Sequence, residues 1–118
     1  MMRKLLAVLV LTLAACASPP QSPAQAVYAT QGTYAVALTL AVKYKALPAC
    51  VPAGPPLCKD PRIVADLQKA DDVAYDALSA AQRVVRSPGA GANVQTLLVA
   101  ADAAVGAFSS IANRLKVQ

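Results

Sequence analysis

The side chains able to do chemistry in this 118-residue chain are few: three cysteines, six aspartates and a scatter of hydroxyls, with no histidine, tryptophan or glutamate. Nucleophilic catalysis through Ser, Thr or Cys needs an adjacent base, and without histidine the commonest one is missing. The alternative Ser-x-x-Lys pair does not occur. Asp71, Asp72 and Asp76 are the clustered carboxylates. Asp72 and Asp76 stand one helical turn apart, a spacing at which a general-acid pair or a cation site can form. A helix surface supplies neither the cleft that shifts a carboxylate pKa nor the sharply turned backbone of a calcium loop, so a solvated helix face is expected. Cys50 and Cys58, spaced Cys-x7-Cys, match neither the four-ligand set of a structural zinc site nor the Cys-x-x-Cys of oxidoreductases. Glycine-rich phosphate loops and cofactor fingerprints are absent. The expectation is a protein that is not an enzyme and takes no cofactor and no metal.

The elements that must carry these residues begin with a targeting signal. Met1-Met2-Arg3-Lys4 is a short positive region, and residues 5–13 are an apolar run too short to span a bilayer and suited to a signal-peptide core. The next residues, Leu13-Ala14-Ala15-Cys16, resemble the lipobox of bacterial lipoproteins: a Leu, small residues, then Cys, with both flanking regions in order. The resemblance implies a diacylglycerol on the Cys16 thiol, cleavage between Ala15 and Cys16 to remove signal peptide 1–15, and acylation of the new amino terminus, with fatty acids such as palmitate. Several acyl chains anchor stably where one binds marginally, since each buried CH₂ contributes about 0.8 kcal/mol. In lipoproteins of this kind an Asp after the Cys goes with inner-membrane retention. Ala17 therefore points to the outer membrane, with the protein facing the periplasm. Ala15-Cys16-Ala17 also fits ordinary secretory cleavage after Ala17, which would leave no anchor.

In an exported chain whose Cys16 is lipidated, Cys50 and Cys58 are an even pair in an oxidising compartment, and a disulfide is the natural reading, with free thiols or a metal or redox pair as alternatives. They bracket Val51-Pro52-Ala53-Gly54-Pro55-Pro56-Leu57, which cannot continue a helix. Charge changes as well once residues 1–15 are removed. The formal +5 loses Arg3 and Lys4, leaving nine basic side chains against six aspartates. Six of the nine, Lys43, Lys45, Arg83, Arg86, Arg114 and Lys116, fall in the last turns of three expected helices, where each offsets the macrodipole by ~0.3–1 kcal/mol. This basicity is compatible with an attraction to anionic lipid head groups. It does not suit nucleic acid, for want of a basic stripe interleaved with aromatics.

Composition and punctuation give the fold. Apolar residues make up 57% of the chain and 27 residues are alanine, which points to an alanine-rich helical protein rather than a disordered or disulfide-dense one. Residues 16–22 are the lipidated Cys and a Pro-containing tether. Ser22-Pro23-Ala24-Gln25 carries a capping box with Pro at the first helical position, opening helix 1 at about 23–47, ended by Pro48. Its larger residues form two adjacent stripes: Val27, Tyr34, Leu38, Ala41, and Val36, Leu40, Tyr44, Leu47. Asp60-Pro61 opens helix 2 at about 61–86, with Val64, Leu67, Ala74, Leu78, Ala81 and Val85 facing a partner, widened by Ile63 and Val84. Arg62, Asp66, Lys69, Asp72, Asp76 and Arg83 face solvent, with Asp66 and Lys69 placed to pair. After the turn Ser87-Pro88-Gly89-Ala90-Gly91, Asn93 caps helix 3 at about 94–116. There Val94, Leu97, Ala101, Ala104, Phe108, Ile111 and Leu115 alternate steps of three and four, as in a coiled-coil seam. The charge-free stretch from Leu5 to Val42 raises a membrane-spanning question, but Gln21, Ser22, Pro23, Gln25, Thr30, Gln31 and Thr33 interrupt it.

The predicted fold is all-α: an up-down-up three-helix bundle over 23–118, with one disulfide in the helix 1–helix 2 loop. Gly32 and Gly106 fall at similar heights on helices 1 and 3 and are read as the closest contact between them. The mature chain is similar to a group of small, uncharacterised alanine-rich helical lipoproteins of proteobacteria and their phages. The residues that carry the likeness are Ala46-Leu47-Pro48-x-Cys50, Leu57-Cys58-x-Asp60-Pro61, Ala70-Asp71 with Ala77-Leu78, and Val85-Arg86-x-Pro88. The likeness implies no established activity. The functional expectation is a non-enzymatic, membrane-anchored envelope lipoprotein, acting by contact with another envelope protein or with itself through an apolar patch left on helix 1 or helix 3. The alternative is a phage or prophage accessory lipoprotein, either lysis-associated in the manner of an outer-membrane spanin or acting in superinfection exclusion.

Overall fold

The capping box at Ser22 forms: its hydroxyl accepts from the Gln25 backbone N–H at 3.3 Å, and the Gln25 side chain accepts from the Ser22 N–H at 3.2 Å. In the computed structural model, which describes residues 22–87 and 93–115, this starts α1, Pro23–Lys45. The helix stops two residues short of Leu47. Residue 47 precedes a proline and is pushed out of helical geometry, and the N–H groups of Ala46 and Leu47 close the end on Val42 and Tyr44 carbonyls. The Asp60 carboxylate accepts from the Arg62 N–H at 2.8 Å and Pro61 occupies the first turn of α2, Pro61–Arg86. Ser87 ends it by donating its hydroxyl to the Arg83 carbonyl. In α3, Asn93–Arg114, Asn93 is the first helical residue rather than the cap, and Leu115 follows in a 3₁₀ turn. The expected signal peptide at 1–15, Cys16 and the expected tether up to Gln21, the expected turn residues Pro88 to Gly91, and Lys116 lie outside the described residues.

Two stacked clusters of buried residues establish the direction of each helix. Val27, near the start of α1, packs with Leu78 and Ala81 from the second half of α2 and with Ala101 from the first half of α3. At the other end Tyr44 shares a second cluster, the lower one to the first's upper, with Leu67, Val105 and Ala112. The helices therefore run up, down and up, with α1 parallel to α3, as the short connections require. Half of the twelve buried residues are alanine, and Phe108, Leu67 and Val105 are the largest fully buried side chains.

The faces differ in detail from the expected stripes. On α1 the buried line is Val27, Ala37, Ala41 and Tyr44, with Tyr34, Leu38, Leu40 and Leu47 half-buried beside it. Val36 is turned outward. The two anticipated stripes flank Ala37, and the helix turns this small residue inward so that its neighbours approach closely, leaving the outermost branched residue in solvent. On α3, Val105 and Ala112 are buried more deeply than Ala104 and Ile111. A helix that meets two neighbours buries a wider face than the strict three-four seam of a two-stranded coil. On α2, Leu67, Ala74, Leu78 and Ala81 are buried as their spacing predicts.

The two helical glycines do not mark a helix contact. Gly32 and Gly106 are both exposed, and a Cβ built on either would meet nothing within 4 Å. Close approach comes from buried alanines instead. Asp66 and Lys69 share the exposed face of α2 without closing an ion pair within 4.0 Å.

Candidate functional site

Three places gather chemistry-bearing side chains, and the first is the middle of the bundle. Tyr34 of α1 donates its phenol proton to the Asp71 carboxylate of α2 at 2.6 Å. Its ring lies against Phe108 of α3, centroid to centroid at 5.8 Å and tilted by 44°. One residue thereby ties all three helices together and joins the two buried clusters, packing against both. Burial, and after it the hydrogen bond and charge of Asp71, push the Tyr34 phenol well above the ordinary tyrosine value. The phenol is thus held protonated as a donor, the opposite of what a tyrosine nucleophile or base requires. Asp71 is half-buried and partnered, in contrast to the solvated position expected of it, whereas Asp72 and Asp76 are exposed as expected. A hollow of about 150 Å³ reaches Asp71 and Asp72 between α1 and α2.

The second place is the loop between α1 and α2. Cys50 and Cys58 form a disulfide with their Cα atoms 4.9 Å apart. Beside it, Ala49 and Lys59 make an isolated parallel bridge: the Lys59 N–H donates to the Pro48 carbonyl at 2.8 Å and the Cys50 N–H to the Lys59 carbonyl at 3.4 Å. The Tyr44 hydroxyl accepts from the Asp60 N–H at 2.8 Å, tying the N-cap of α2 to the last turn of α1. The Lys59 ammonium donates to the Lys45 carbonyl at 2.9 Å, satisfying an orphan acceptor at the C-terminus of α1. Within the loop, the Gly54 N–H donates to the Val51 carbonyl, closing a turn with Pro52 in second position and Ala53 at φ 59° in third. Ala53 takes the left-handed place that a type II turn normally gives to glycine. At Gly54 a Cβ would come within 2.8 Å of the Val51 side chain and 3.0 Å of its carbonyl oxygen, so a larger residue would force Val51 to shift.

Comparison with protein-family models, with curated proteins and with solved structures finds no match for the chain.

The third place is the outer surface, where charge is segregated by helix. From Pro23 to Val42, α1 carries no charged residue, and Tyr28, Val36 and Val42 on its outer side are 78%, 58% and 58% exposed. The outer side of α2 holds the exposed Arg62, Asp66, Lys69, Asp72, Asp76 and Arg83. By length and composition α3 is apolar enough to cross a membrane, yet it packs Ala101, Val105, Phe108 and Ala112 inside the bundle and carries Asp102 on its exposed side. Among the described residues no group of three or more Cys, Asp, Glu or His is placed to hold a metal.

The Tyr34–Asp71 pair was not foreseen because its partners lie 37 residues apart and the contact depends on the register of two helices. A tyrosine within an apolar stripe was the available signal, since a buried phenol needs a partner. The same holds for Tyr44 and the Asp60 N–H.

Proposed function

We propose that the protein is a non-enzymatic, lipid-anchored envelope protein. Cys16 holds it at the outer membrane on the periplasmic side, and it works by presenting the outer face of α1 to another envelope protein or to a second copy of itself. The observation that carries this reading is the uncharged face of α1. Over about five turns of helix, exposed Tyr28, Val36 and Val42 are accompanied by Ala24, Ala29, Ala35 and Thr39 and by no charge. Scattered exposed apolar residues are normal on a protein surface, whereas a contiguous uncharged side marks a contact. The bundle as a whole does not lack charge, because the outer side of α2 is densely charged.

The position of the face supports the reading. It begins at the helix end nearest Cys16, and the six residues between Cys16 and Pro23 span at most about 20 Å. Arg83 and Arg86, in the last turn of α2, share that end of the bundle and would lie near anionic head groups.

Two measurements in intact cells test this. Palmitate labelling is expected in the wild type and not in Cys16→Ser. A photo-crosslinking residue at Tyr28 should capture one discrete species only when Cys16 is lipidated, while the same residue at Asp76 captures none. Absence of label in the wild type overturns the anchor, and equal capture from both positions overturns the role of α1.

A further inference from the structure

One hollow on the bundle lies away from the contacts described so far. It is a half-enclosed groove of about 420 Å³ between α2 and α3, toward the disulfide end. Its size falls within the range of small-molecule sites, roughly 300–1,000 Å³. Ile63 and Ala70 of α2 and Ile111 and Leu115 of α3 form the floor; all four are half-buried and pack on the lower core cluster. Ala70 contributes only a methyl group where a longer side chain would close the groove.

The rim is charged. Lys69 and Arg114 line it on opposite helices, and Asp66 is the acid beside them. Among the described residues, none of these three side chains has a hydrogen-bond or ion-pair partner within 4.0 Å. Two unpaired cations against one carboxylate leave the rim net positive above an apolar floor. That combination selects against a bare inorganic anion, which gains nothing from the floor, and against a cationic amphiphile, which the rim repels.

We propose that this groove is a binding site for an aliphatic carboxylate, its chain laid on Ile63, Ala70, Ile111 and Leu115 and its head group held by Lys69 and Arg114. The site lies at the opposite end of the bundle from Pro23, so it faces away from any anchor at Cys16 and does not depend on lipidation.

The test uses the full exported chain carrying Cys16→Ser, which has no acyl chain of its own, titrated with decanoate below its micellar range. Saturable one-to-one binding is expected, with amide NMR shifts centred on Ile63, Ala70 and Ile111. Lys69→Gln and Arg114→Gln should each weaken it by about two- to five-fold, the range of an exposed charge contact. Asp66→Asn should tighten it, decylammonium should bind more weakly than decanoate, and acetate should not saturate. Ala70→Leu, with its fold checked by circular dichroism, should abolish binding by filling the groove. Non-saturating shifts, equal affinity for decylammonium, or weakening by Asp66→Asn would overturn the proposal. So would binding that falls as protein concentration rises, since a second copy would then be occupying the groove.

Discussion

Tyr34 spends its hydroxyl on Asp71 and its ring on Phe108, so truncating it in two steps separates the two contributions. Tyr34→Phe keeps the ring and strands a half-buried carboxylate, which should cost about 1.5–3 kcal/mol, the usual range for a hydrogen bond to a charged group. Thermal unfolding should report this as a fall of several degrees, and Tyr34→Ala should lose clearly more. The same pair sets a pH signature. Burial and Asp71 raise the phenol's folded-state pKa above the value of about 10 that it has unfolded. The folded state therefore holds this proton more tightly, so the stabilisation is complete below about pH 10 and is lost as pH rises toward the folded-state pKa. The stability gap between wild type and Tyr34→Phe should be constant from neutral pH to about pH 10 and shrink above it. A gap that widens in alkali would contradict the assignment. Ala53 offers an independent test of the loop. At φ 59° its Cβ is strained where glycine would not be, so Ala53→Gly should raise stability by about 0.5–1 kcal/mol, measured by denaturant unfolding.

At the scale of elements, the helical type of all three elements and the starts of α1 and α2 were legible because each signal is local. Ser22 with Gln25, Asp60 with Pro61, and Pro48 after Leu47 act within one turn of where they stand. The disulfide was legible for a similar reason, since the bracketed prolines exclude a helix and the short loop leaves the two thiols near each other. Which side of α1 is covered was not legible. Its apolar residues surround more than half the helix, and the angle is decided by how closely α2 and α3 approach, a property of three elements at once. The misreading of Gly32 and Gly106 has the same origin: similar height on parallel helices does not give the direction in which a residue points. Because a Cβ at either position would meet nothing within 4 Å, Gly32→Ala and Gly106→Ala should each stabilise by up to ~1 kcal/mol through helix propensity alone. A fall in melting temperature for either would restore the contact reading. The loop between α1 and α2 makes the converse prediction. Joint replacement of Cys50 and Cys58 by Ser should cost about 2.5 kcal/mol on the chain-entropy estimate for so short a ring. Tyr44→Phe should cost about 1 kcal/mol more by freeing the N–H of Asp60.

Taken as a whole molecule, the bundle buries little that is large. Outside residues 1–15 the chain has only 28 Val, Leu, Ile, Phe and Tyr residues, and alanine fills half of the buried positions. Alanine allows close approach of helices but removes few methylene groups from water, so the hydrophobic contribution rests on a small number of side chains. Phe108 is the chain's single phenylalanine and is wholly buried, and the Tyr34 ring that joins the two clusters rests on it. Phe→Ala in a core typically costs about 3–5 kcal/mol, against a total of about 5–15 kcal/mol for an ordinary domain. For a core this thin the lower part of that total is the relevant comparison. Phe108→Ala should therefore remove most of the net stability and broaden or abolish the cooperative thermal transition. Leu78→Ala, in the upper cluster, should cost about 2–5 kcal/mol and leave a cooperative transition at lower temperature. Hydrogen exchange distinguishes the two outcomes, because loss of Phe108 should release protection in both clusters together. Protection retained around Val27, Leu78 and Ala101 in Phe108→Ala would mean that the upper cluster folds without the lower one. The Tyr34–Phe108 contact would then be a seam between two units and not the centre of a single cooperative bundle.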